Sequence, residues 1–356
     1  MRQSFLWLML FFVSSFSGCK REDGTQRPSG DYLGEDPPGL TAQLFAPGFV
    51  STEHGELNAV FASNGQEFYF TRRGIPRTPA AIMVTRRAGR YWMPPEVVDF
   101  DSRYSAIDLF ITADGGRMIF CSDRPREQDG GPPGDHDFWV SVRDGDNWSA
   151  PEPFASAALS EFQEFYPIIT RSGNLYFNSQ REGPGTNNIF RSSMEQGEYR
   201  QAEKLPRPIN SEYREFDAYV SPEEDVIIFS SERPGGYGGS DIYVSFLAQD
   251  GNWTDPQNLG GEVNSAASEY GAMPSPDGRY LFFTSGRGGN EDIYWISAEV
   301  VDVLRPSGGR ERAMAAGDLE HGLRSRWAGA FTKHGWSKVL AQEFGWWVAA
   351  SVALVH

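Results

Sequence analysis

A recurring segment constrains this chain more than any other feature. Residues 269–297 read as a short strand, a Pro276-Asp277-Gly278 turn, an aromatic strand, a Gly-rich loop and a third strand opened by Asp292. Four earlier stretches vary this pattern at a spacing of roughly fifty residues, the repeat length of propeller blades. Their first strands end at Asn64-Gly65, Asp114-Gly115, Ser172-Gly173, Glu224-Asp225 and Asp277-Gly278. Gly in four of these pairs tolerates the positive φ of a tight hairpin. Each turn leads into an apolar run: Phe68-Tyr69-Phe70, Met118-Ile119-Phe120, Leu175-Tyr176-Phe177, Ile227-Ile228-Phe229 and Leu281-Phe282-Phe283. Runs without polar alternation fit strands covered on both faces.

A Gly-x-Trp/Tyr signature closes four copies, at Trp92, Trp148, Tyr199 and Trp253, and the fifth copy lacks it. The missing outer strand stands at the other end, in Ala42-Gln43-Leu44-Phe45-Ala46-Pro47. The expected fold is therefore all-β: a single propeller of five four-stranded blades, with six as the alternative, closed by an N-terminal strand. Closure removes the exposed faces that an open stack would leave.

Ser275-Pro276-Asp277-Gly278, Phe283-x-Ser285-x-Arg287, Asp292-Ile293-Tyr294 and the Gly-x-Trp ends resemble the WD-like β-propeller repeats of TolB-type periplasmic proteins. Ser231-Glu232-Arg233-Pro234-Gly235-Gly236, continuing to Gly239-Ser240-Asp241-Ile242-Tyr243, is similar to copies in bacterial cell-envelope proteins. The resemblance implies a propeller over residues 40–304 that serves as a rigid binding scaffold. It implies no activity, since fold alone does not give function.

The N-terminus points to the same compartment. Arg2, the apolar residues 5–13 and the small residues after them read as a signal peptide over 1–18. Phe16-Ser17-Gly18-Cys19 resembles the bacterial lipobox, which makes Cys19 the expected lipid attachment site. Lys20, where Asp would mark inner-membrane retention, leans toward the outer membrane facing the periplasm. Residues 19–39 are polar and rich in Gly and Pro, the composition of a flexible tether. Residues 305–356 drop the repeat pattern and have helical composition, so a short helical C-terminal extension is expected. Cys121, the other cysteine, has no partner for an internal disulfide and lies in an apolar run.

A net charge of −16 with no basic block argues against nucleic-acid partners and against membrane contact other than through the lipid. The repeat also aligns polar residues. Glu56, Glu164, Glu215 and Glu269 stand at the start of the first strand, with Ala106 in the second copy. Arg124, Arg181, Arg233 and Arg287 follow the second strand, and Arg73 is the counterpart in the first copy. Such recurrence reads as structural clamps. Two positions after the Glu set come Asn58, Asp108, Tyr166, Asp217 and Gly271, where the copies differ. Asn58, Asp108, Tyr166 and Asp217 are the candidate ligand-binding residues. The expected function is a lipid-anchored envelope scaffold for a protein, peptide or glycan. The alternative is a glycoside hydrolase or lyase using the inner-strand carboxylates. No zinc-type histidine cluster, EF-hand, phosphate loop or Gly-x-Ser-x-Gly stands out, so no metal, cofactor or catalytic residue is assigned.

Overall fold

The structure is a computed structural model that describes residues 27–76, 78–126, 131–154 and 156–306. The expected signal peptide, Cys19 and the extension past residue 306 lie outside the described residues.

Five antiparallel sheets form the five blades of a propeller. Their inner strands are Glu56–Phe61, Ile107–Ile111, Glu164–Ile169, Glu215–Val220 and Glu269–Pro274. The second strands are Glu67–Arg73, Arg117–Ser122, Leu175–Ser179, Val226–Ser231 and Tyr280–Ser285. The third are Ala80–Ala88, Asp137–Asp144, Asn188–Ser192, Asp241–Phe246 and Asp292–Ser297. The outer strands of the first four blades are Glu96–Val97, Glu152–Pro153, Glu203–Lys204 and Gln257–Asn258. Blade 5 takes its outer strand from the N-terminus: Gln43 faces Trp295 and Leu44 faces Tyr294. The five-blade expectation and its closing strand therefore hold, and the six-blade alternative does not.

The second strands are buried on both faces, as their unbroken apolar runs require, because each blade packs against two neighbours. Phe68, Phe70, Phe120, Phe177, Phe229, Phe282 and Phe283 form much of this packing. The Gly-x-Trp segments fold as small hairpins on the third strands, such as Tyr91–Trp92 on Arg87 and Ala88. Cys121 is fully buried in the blade 2 core.

The expectation of a flexible tether over 19–39 does not hold for residues 27–39. Ser29 bridges to Tyr91, and the Trp92 indole donates to the Gly30 carbonyl at 2.8 Å. Leu33 is buried, while the Tyr32 ring lies 4.8 Å from Tyr280 and 5.3 Å from Phe61. These side chains cover the seam between blades 5 and 1, and backbone bonds to Arg90 and Trp92 and the Arg87–Asp31 pair hold the rest of the stretch.

Candidate functional site

In each blade the loop arriving from the previous blade meets the start of the inner strand and the end of the second. Four of these junctions hold a fully buried glutamate. Glu215 accepts from Ser211 N at 2.9 Å, Ser211 Oγ at 2.6 Å, Ser231 Oγ at 2.9 Å and Arg233 Nη2 at 3.2 Å. Glu269 has the same partners in Ser265, Ser285 and Arg287, and Glu164 has them in Ser160, Ser179 and Arg181. Burial pushes the Glu164 carboxyl up, opposed by the Ser160 and Ser179 hydroxyls and the Arg181 charge. Each arginine also donates to a carbonyl of the incoming loop: Arg181 to Ala158, Arg233 to Ile209 and Arg287 to Val263.

Blade 1 departs from the expected residue. Arg72, not Arg73, reaches Glu56 at 2.7 Å and the Val50 carbonyl at 2.9 Å. Arg72 stands in the ladder opposite Glu56, where blades 3 to 5 place a serine, so it pairs directly. Arg73 instead bonds Glu291 at 2.6 Å. The Ser/Thr four residues before each Glu (Thr52, Ser160, Ser211, Ser265) was overlooked in the sequence, although its constant spacing is readable there.

The structure brings Asn58, Asp108, Tyr166, Asp217 and Gly271 together at the propeller axis. Every inner strand carries a bulge there, seen as a register shift against its neighbour. All five residues have left-handed backbone, with φ of 57°, 51°, 55°, 49° and 64° in that order. Such φ is uncommon outside glycine, and its recurrence in every blade ties it to the architecture rather than to one site. The Tyr166 hydroxyl reaches across to the Ala272 carbonyl at 3.1 Å. A Cβ on Gly271 would stand 3.3 Å from Asn58 Nδ2 and 3.8 Å from Tyr166 Cε2. Asp108 and Asp217 are only 8% and 9% exposed. Burial pushes the Asp108 carboxyl up, opposed by the Arg73 charge, the Tyr166 backbone N–H and the Asn58 amide. Burial and the Asp108 charge together hold Asp217 well above the usual carboxylate range.

Fivefold symmetry breaks at blade 2. Ala106 leaves Arg124 with Ser122 Oγ and the Phe100 carbonyl, and with no ion-pair partner among the described residues. Burial lowers the Arg124 pKa, with Asp101 partly opposing it. Its guanidinium lies 5.1 Å from the centre of the Trp139 ring and 5.6 Å from that of Tyr104. These side chains, with Arg103, Arg126 and the carboxylates Asp101 and Glu152, line a cavity of about 300 Å³. Three further cavities open at the same end of the disc, beside Thr52 and His54, beside Asn187 and Arg214, and beside Arg126 and Ser160. His136 turns inward, its Nε2 3.0 Å from Ser105 Oγ, and burial lowers its pKa. Among the described residues, no three His, Cys, Asp or Glu side chains are grouped to hold a metal.

No protein-family model matches the chain, and no curated protein matches it. Solved structures similar to it include a protein from Agrobacterium tumefaciens assigned as TolB, at 18% identity and TM-score 0.45, over 66% of this chain and 71% of that one. A glycoside hydrolase is similar at 12% identity and TM-score 0.46, over 75% of this chain and 93% of that one. A prolyl endopeptidase is similar at 12% identity and TM-score 0.37, over 66% of this chain and 32% of that one. None of these similarities carries an activity to this chain.

Proposed function

We propose that the chain is a lipid-anchored cell-envelope β-propeller, held through Cys19 at the outer membrane and facing the periplasm. Its blades form a rigid disc that binds an envelope protein, peptide or glycan. The observation that carries this reading is the break in symmetry at Arg124. Four junctions neutralise their arginine with a buried glutamate, while the blade 2 arginine faces an open cavity with two aromatic rings beside it. A guanidinium held in place by ring stacking is prepared for an acidic or hydrogen-bonding group on a partner. In a chain of net charge −16 such a group is a local exception.

The glycoside hydrolase or lyase alternative needs substrate access to two carboxylates. Asp108 and Asp217 are nearly sealed and line none of the four cavities described above. The binding reading is therefore the better supported.

Affinity capture from a native envelope extract tests it, comparing the unaltered protein with Arg124→Gln and Arg214→Gln. Arg214 lies on the same end of the disc but at another cavity. Loss of the captured partner with Arg124→Gln alone supports the reading, given unchanged melting. Equal capture by all three proteins overturns the role given to the blade 2 cavity.

A further inference from the structure

The blade 2 cavity is lined by one uncommitted cation and one uncommitted anion. Arg103 is held by Asp101, and Arg126 by Asp137 at 2.7 and 2.5 Å. Arg124 has no such partner. Its Nε donates to Ser122 Oγ at 3.1 Å and its Nη2 to the Phe100 carbonyl, which leaves Nη1 without a bond among the described residues. The carboxylate of Glu152, exposed on the outer strand of blade 2, likewise has no partner among the described residues.

The remaining walls are apolar. Trp139 is 5% exposed and stands in the ladder opposite Pro153. Pro125, Pro151 and the Tyr104 ring complete the lining, and the Tyr104 hydroxyl is already bonded to the Gly131 carbonyl at 3.0 Å. The Trp139 indole N–H has no partner among the described residues, so a second unused donor sits on the ring that the Arg124 guanidinium faces. At about 300 Å³ the cavity is at the small end for ligand sites. It has room for one residue and not for a chain running through.

We infer that this cavity captures the C-terminal residue of a peptide, an inference that rests on the binding role given above to Arg124. The terminal carboxylate bonds the free edge of the guanidinium, a charge-assisted pair. The side chain of that last residue packs on Trp139 and the prolines, and its backbone N–H donates to Glu152. An internal Asp or Glu holds its carboxylate further from its own N–H and has no side chain to spare for the Trp139 wall. Glu152 would then face it as an unrelieved like charge. A sugar acid carries hydroxyls along every edge of its ring, and a cavity whose other charged groups are already paired offers them few partners. Capture of a chain end by its carboxylate is a recurring mode of peptide recognition, with a side-chain guanidinium here in place of backbone N–H groups.

Capture of two peptide pools on the immobilised full-length protein tests it. The pools are randomised over their last few residues and differ only in ending as the free acid or as the amide. The acid pool should be captured at least about tenfold better than the amide pool, and Arg124→Gln should bring it down to the amide level. Apolar final residues should be enriched, and Glu152→Ala should weaken capture by a smaller factor. If Arg124→Gln does not melt cooperatively, the acid-to-amide ratio on the unaltered protein decides. Equal capture of the two pools, or capture of neither, overturns the inference. So does enrichment of the amide pool in Asp and Glu, or Arg124-dependent capture of a glucuronate-ended oligosaccharide in place of the peptides. In each of these cases the binding role of Arg124 is judged separately, by whether Arg124→Gln loses the partner captured from envelope extract.

Discussion

The Tyr176 hydroxyl donates to Glu224 Oε2 at 2.6 Å, and that bond joins blade 3 to the tip of blade 4. Glu224 occupies the turn position that is glycine in the other blades, with φ of 58°. Its carboxylate also accepts from Thr170, Ser172, Asn174 and Arg191, all of blade 3. Burial alone would raise its pKa, but the bonds from Ser172, Tyr176, Asn174 and Thr170 outweigh burial and hold it down to about 2. A folded-state pKa below the unfolded value adds stability above the unfolded pKa, and that stability is lost as pH falls through the folded one. Glu224→Gln should therefore cost about 1–2 kcal/mol at pH 7, allowing for screening at this partly exposed site. The deficit should shrink as pH falls below about 4.5 toward 2. Urea melts of both proteins at pH 7 and pH 3 check this, and a pH-independent deficit would assign the effect to the lost acceptor oxygen rather than to the charge.

The buried junction should behave as a unit. Glu215→Ala strands the Arg233 guanidinium and the Ser211 donors, and breaking a buried pair from one side costs about 3–5 kcal/mol. Arg233→Ala should cost a similar amount, and the double variant less than the sum. Arg124→Ala should cost less than Arg233→Ala, because no described carboxylate is left unpaired in blade 2. Equal losses from Arg124→Ala and Arg233→Ala would show that the carbonyl and ring contacts, not the ion pair, do the clamping.

Ring closure should depend on Phe45. Its fully buried ring lies 5.0 Å from Phe282, 5.2 Å from Trp295 and 5.2 Å from Phe68, bridging blades 5 and 1. Phe45→Ala should destabilise the propeller by about 3–5 kcal/mol, the usual range for a buried phenylalanine. A denaturant m-value that also falls would mean that the ring opens before it unfolds.

The blades and the closing strand were legible because they rest on local signals that recur: a turn pair, an apolar run, a Gly-x-Trp end. The exceptions are residues whose role is set across a blade boundary. Arg73, one place short of the spacing of Arg181, was the offered counterpart, yet Arg72 pairs with Glu56 because the ladder register puts it there. Residues 27–39 look like a tether by composition, and only the aromatic seam of blades 5 and 1 gives Tyr32 and Leu33 a place to dock. The axial position was visible as an aligned, variable column. Its left-handed backbone was not, since glycine marks that conformation only at Gly271.

The proposed anchor makes its own prediction. Cys19→Ala should move the protein from the membrane fraction to the soluble fraction, since a lipid chain contributes about 0.8 kcal/mol per buried methylene. The melting transition should be unchanged. Retention of the variant on membranes after a high-salt wash would point to another attachment.

The C-terminal limit of the folded unit should lie just after Arg305. Past the last strand, the short helix Glu299–Asp302 buries Val300 and Val301 against the blade 4–5 core. Gln257 Nε2 donates to the Leu304 carbonyl at 2.9 Å. Arg305 lies 3.3 Å from Asp225 and stacks 4.9 Å from the Phe246 ring centre. These contacts tie residues 299–305 to blade 4, so they act as a latch on the blade that precedes the closing one. Truncation after Pro306 should leave a propeller that melts cooperatively near the full-length temperature. Truncation after Ser297 should lower stability by about 2–4 kcal/mol, the cost of losing two buried valines and exposing their seats. Circular dichroism melts of the two truncations decide the boundary, and loss of the β-signal in the longer one would move it beyond residue 306.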